Sequence, residues 1–196
     1  MDDINSRIGR RMRALRDARA LSLDALAERS GVGRSTISLI ERGQSSPTAT
    51  VLDKLSAALG VTVASLFEAP PPEAPSPLAR VADQPLWTDP ASGYVRRNVS
   101  PAFPSPIQLV DVCFPPGQRV AYDTGARDVD VHQQVWMIEG AMELTVGDET
   151  WRLQAGDCLA MRLDRPIAYR NPGKTPARYL VALVSQPQPA GRRSAA

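Results

Sequence analysis

The sequence predicts a two-domain chain, an all-α head of five short helices followed by an all-β body of the jelly-roll kind. Three observations carry that expectation. Up to Phe67 the apolar residues recur at three- and four-residue steps, the period of a helix. The run APPPEAPSP, Ala69 to Pro77, then interrupts the chain, and no helix can continue through it because proline lacks an N–H and its ring blocks the preceding turn. Beyond it come short β-rich runs, IQLVDVCF, QVWMIEGAMELTV and ARYLVALV, divided by Pro-Gly, Gly-Asp and Asn-Pro breakers. With 196 residues, 43% of them apolar, two cores are affordable. The expected boundaries are a head at 1–68, a semi-rigid extended spacer at 69–77, a body at 78–186 and a disordered tail at 187–196.

Composition excludes several classes. No stretch reaches the roughly 20 uncharged apolar residues of a membrane span, and MDDINSRIGR lacks the apolar segment of a secretory signal. A cytoplasmic protein is expected. Cys113 and Cys158 are too few for a disulfide framework, and both lie in strand-like runs where a thiol is expected to be a small buried hydrophobe. Net charge is only +2, but its excess lies in the head, where Arg7, Arg10, Arg11, Arg13, Arg16 and Arg19 crowd one segment. Such a face suits an anionic polymer, or equally plain solvation.

In the head, Ile4, Ile8, Met12 and Leu15 mark a first amphipathic helix. Ser22 is placed to cap a second, LDALAERS, whose Leu23, Leu26 and Ala27 face inward and which Gly31 closes. A third helix runs from Arg34 to about Glu41 with Ile37 and Ile40 inside. A fourth starts at Pro47 and Thr48, carries the stripe Leu52, Leu55, Leu59 and ends at Gly60, before a last turn, VASLF. Two short helices about a glycine-bearing turn form a helix-turn-helix.

From Leu21 to Phe67 the chain resembles the Xre/Cro-like helix-turn-helix family. The Leu26-Ala27 pair, the Gly31-Val32 turn, the STIS block, Glu41-Arg42-Gly43, Pro47-Thr48 and LGV before the last turn carry the likeness. The resemblance implies that Arg16 and Glu41 form a salt bridge bracing the recognition helix. It also implies that this helix enters the major groove N-terminus first. Arg34, Ser35 and Ser38 would then reach base edges, with Thr36 nearer the backbone, and Arg34 is the strongest reader because a guanidinium pairs bidentately with guanine. Arg42, Gln44 and Ser45, on the following loop, would meet phosphate. Leu23 departs from the family, which usually has a glutamine there.

The segment from Pro115 to Gly173 resembles a cupin, a double-stranded β-helix. The Pro116-Gly117 turn, VWMIEG, LQAGD, Pro166 and Asn171-Pro172 carry that likeness, and ELTV and WRL around Gly147-Asp148 read as a hairpin. One or two strands are expected from Pro85 to Val99. A metal-binding cupin presents several histidines and a glutamate. Here Gln133 stands at the glutamate position and Ile167 at the second-motif histidine position, while the earlier histidines fall among Ala126 to Val129, where no imidazole occurs. No metal and no cofactor is therefore expected; Asp128, Asp130 and His132, alternating on one strand face, are the residues that would improvise a site. Strand alternation instead turns Gln133, Val135 and Met137, and Arg165, Ile167 and Tyr169, toward the barrel interior as lining for a small carboxylate or polar metabolite, unless the same residues simply fill the barrel. Trp136 and Ile138, on the opposite face, would pack under another sheet or in a dimer interface.

The sequence thus points to a one-component transcriptional regulator, not an enzyme. It would bind an inverted-repeat operator in double-stranded DNA as a homodimer and answer to an unknown small-molecule effector. The alternatives are a metal-dependent cupin enzyme with a DNA-binding head, and a DNA-binding module whose cupin only dimerises.

Overall fold

The computed structural model describes residues 3–68, 75–123 and 129–187, the side chains of Val129 and Pro187 excepted. Most of the spacer, the tail beyond Pro187 and Asp128 lie outside these residues.

The head holds four α-helices: α1 Ile4–Asp17, α2 Leu23–Ser30, α3 Arg34–Glu41 and α4 Ala49–Ala58. Ser22 caps α2 by accepting from the Ala25 amide at 3.0 Å, and Thr48 caps α4 by accepting from Val51 at 3.3 Å. Gly31 stops α2 at φ 64°, a left-handed conformation that glycine adopts without the Cβ clash other residues meet. The expected fifth helix is instead a single 3-10 turn, Ala64–Phe67. Thr62 accepts from Ser65 to open it and Glu68 leaves it in extended conformation, so four residues remain, fewer than one α-helical hydrogen-bond ring spans. Ile8, Met12, Leu26, Ile37, Leu52 and Leu66 close the head's core with no exposure. A Cβ on Gly9 would run into the Ile40 carbonyl oxygen, so α1 and α3 meet backbone to backbone.

The body is two antiparallel sheets. One has six strands in the order β1-β2-β3-β10-β5-β8, with β1 Leu86–Thr88, β2 Val95–Asn98, β3 Ile107–Phe114, β5 Val129–Glu139, β8 Cys158–Arg162 and β10 Ala177–Pro187. The other has four in the order β4-β9-β6-β7, with β4 Arg119–Tyr122, β6 Ala141–Val146, β7 Glu149–Gln154 and β9 Ile167–Arg170. The β6-β7 hairpin turns at Gly147-Asp148 with Val146 opposite Glu149. Strand β10 keeps its pairing to the end of the body, with Ser185 and Gln186 opposite Val131 and Asp130. Both cysteines are exposed, not buried, since Cys113 and Cys158 fall on the outward parity of β3 and β8.

Head and body share one continuous apolar core. Asp89, in the β1-β2 turn, accepts from the Ala49 amide at 2.9 Å and so caps α4 from the other domain. Glu68 accepts from Arg11 of α1 at 3.0 Å and from Gln108 of β3 at 2.6 Å. Phe67 meets Trp87 edge to face, ring centroids 5.6 Å apart.

Candidate functional site

The first candidate surface is α3 and the loop behind it. Arg34, Ser35 and Thr36 are exposed along the start of the helix, while Ser38 is half-buried; Arg42 and Gln44 are exposed and Ser45 half-buried. Arg34 is not idle, as its Nε lies 2.9 Å from Asp24 of α2, an acidic partner that sequence reasoning passed over. The family brace is present: Arg16 grips Glu41 with Nε at 2.7 Å and Nη2 at 2.9 Å, and its Nη1 donates to the Leu21 carbonyl at 2.9 Å. This pair is largely buried, and the Glu41 carboxylate raises the Arg16 pKa. It joins the end of α1 to the end of α3, so α3 cannot swing independently of the head.

The second candidate is a cavity of about 80 Å3 at the barrel end beneath the head. Of the six expected lining residues it brings together three, Gln133, Ile167 and Tyr169. Gln133 Nε2 donates to the Tyr169 hydroxyl at 2.5 Å. Val135 and Met137 do face inward but are fully buried in the core and do not line the cavity. Arg165 is outside. It precedes β9 in the turn, where strand alternation no longer applies, and its Nε lies 2.9 Å from Asp164 at the surface.

Sequence reasoning missed the rest of the lining. Tyr94, Tyr122 and Tyr179 join Tyr169, so all four tyrosines of the chain border this space. Burial pushes all four phenols above their ordinary pKa, which keeps them protonated and able to donate. Arg96 of β2 lines it too, its guanidinium 4.7 Å over the Phe67 ring. The head contributes Asp53 from α4 and Thr62, Val63 and Ala64 from its last turn. The only signal for Arg96 in the sequence was its shared parity with Tyr94 in YVRRN. Of the improvised metal set, His132 is exposed on the outer face and Asp130 pairs with Arg162 at 3.1 Å, both turned away from the cavity's Gln133. Among the described residues no three His, Cys, Asp or Glu side chains converge. No described helix is long and apolar enough to cross a membrane.

Comparison with known proteins agrees with both halves. Residues 12–66 match the family described as Helix-turn-helix, and residues 111–183 the family described as Cupin domain. The chain is similar to the HTH-type transcriptional regulator SutR of Escherichia coli (strain K12), 25% identical over 184 residues that cover 91% of this chain and 95% of that one. It is similar to the HTH-type transcriptional regulator PuuR of the same organism, 26% identical over 174 residues, with 87% and 91% covered. Among solved structures, an HTH_3 family transcriptional regulator from Vibrio cholerae matches with a TM-score of 0.70 and 21% identity, covering 92% of this chain and 96% of that chain. At that identity the likeness is one of fold.

Proposed function

The chain is a transcriptional regulator that joins an Xre-like helix-turn-helix domain to a cupin domain, and from that premise we propose a division of labour between the two. The head reads DNA through Arg34, Ser35, Thr36 and Ser38 and holds phosphate through Arg42, Gln44 and Ser45. The body receives a small-molecule effector and pairs two copies on an inverted repeat. We read the barrel as a binding site, not a catalytic one, in line with relatives named as regulators.

The observation that carries this reading is the position of the cavity. Its wall is made by barrel strands on one side and by Asp53 and Thr62 to Ala64 of the head on the other. A ligand there touches both domains, so its affinity depends on how the head is seated, and differential affinity for two seatings is what shifts a population. The Asp89 cap on α4 and the Glu68 bridge make that seating a defined geometry in place of a loose tether.

The test is selection of duplexes from a random pool by the full-length protein, followed by binding at several salt concentrations. We expect an enriched inverted repeat whose half-sites lie about one helical turn apart or a multiple of it, with affinity falling steeply with salt. Enrichment of no sequence would overturn the DNA-reading assignment.

A further inference from the structure

We propose that the cavity between barrel and head is an anion site, and that its ligand is a small organic carboxylate held by Arg96. The inference rests on the reading of the barrel as an effector site and adds the chemistry that the effector must have.

Arg96 is the first argument. Its Nε donates to Asn98 at 3.3 Å, but neither terminal nitrogen donates a hydrogen bond within the described residues, and Nη2 is buried. Burial lowers its pKa, so the charge is held at a cost. A guanidinium has five donors in a planar fork that matches a carboxylate, and here the fork lacks its match.

The second argument is the balance of polar groups facing the same space. Tyr169 accepts from Gln133, which leaves its own O–H to donate. Tyr94 and Tyr122 share one hydrogen bond at 3.1 Å, so a single proton satisfies the pair and the other hydroxyl proton is left over. Together with Arg96 these groups present donors at a cavity whose barrel side also carries the apolar Val112, Val181 and Leu183, with Thr62 and Asp53 on the head side. Asp53 is the one carboxylate among the described lining residues. An anion with a short apolar body satisfies this arrangement, whereas an ammonium would have to sit beside an enclosed guanidinium.

Size narrows the ligand further. Taking roughly 10–15 Å3 of such volume per water-sized group, the 80 Å3 cavity admits a molecule of about five to eight non-hydrogen atoms. Because Arg96 packs on Phe67, the last turn of the head lies directly against the anion-binding group.

The experiment melts and titrates the full-length protein with carboxylates of that size, butyrate and pyruvate among them, and with butyramide and 1-butylamine as matched controls. We expect the carboxylates alone to raise Tm. Arg96→Gln should weaken their binding at least tenfold and Arg96→Lys should keep part of it. Ligand-free Arg96→Gln should melt no lower than the parent, because a buried guanidinium whose Nη2 donates no hydrogen bond has been removed. Were it to melt far below, Arg96 would be a structural strut over Phe67 and the proposal would fall. A response to the amine or the amide but not to carboxylates, or equal carboxylate binding by Arg96→Gln, overturns the anion assignment and leaves a sensing barrel. Silence toward every probe overturns both.

Discussion

A reading arginine is useful only if its resting contact is weaker than the contact it makes on DNA. Arg34 rests on Asp24, and both side chains are well exposed, 64% and 76%. Such a pair is worth about 0.2–1 kcal/mol, against about 1–3 kcal/mol for a bidentate contact with guanine. Guanine wins. Arg34→Ala should therefore lose roughly 1–3 kcal/mol on the cognate site and relax specificity at one base pair. Arg42, whose Nε donates to the Ser38 carbonyl of α3, has no acidic competitor among the described residues. Arg42→Ala should weaken all sequences alike and lower the slope of log affinity against log salt by about one. A gel-shift series over several sites and salt concentrations separates the two, and full discrimination by Arg34→Ala would remove it from the reading set.

At the scale of the elements, the contest at Gly9 is between helix propensity and space. Alanine is favoured over glycine inside a helix by about 1 kcal/mol. Its Cβ would strike the Ile40 carbonyl oxygen, a backbone atom that cannot step aside, and overpacking of that kind costs about 1–3 kcal/mol or more. Gly9→Ala should accordingly lower the midpoint of urea unfolding. Such a clash does not show in a sequence. What did show were the features set by near neighbours along the chain: the helical stripes, the cap at Ser22, the stop at Gly31, the β6-β7 hairpin. The Arg16–Glu41 brace came from resemblance and is present. The cavity was legible only where strand parity held, at Gln133, Ile167 and Tyr169. It failed at Arg165 because the strand starts two residues later, and it missed Arg96, Asp53 and Asp89 because their roles arise from contacts between domains, 40 residues apart in the case of Asp89 and Ala49.

At the scale of the molecule, the head occupies one end of the barrel, and among the described residues nothing covers Trp136 and Ile107 on the outer face of the six-stranded sheet. Trp136 is 49% and Ile107 50% exposed on that face. The register carries the stripe across neighbouring strands, with Trp136 beside Leu180 and Cys158, and Ile107 beside Val184. Ile138, expected in the same stripe, is half-buried where the β5-β10 register shifts. An exposed apolar stripe on a sheet face suits association, and an isologous contact through it would present two heads related by a two-fold axis. That symmetry is what an inverted repeat requires. We therefore expect Trp136→Glu to turn a dimer into a monomer at micromolar concentration, read by sedimentation of the full-length chain. The full chain matters, because the head covers Trp87 and the cavity, and a body fragment would expose a second apolar surface of its own. The variant should still bind a single half-site as the parent does but lose its advantage on the paired one. A Trp136→Glu protein that sediments as the parent and still prefers the inverted repeat would place the dimer contact elsewhere.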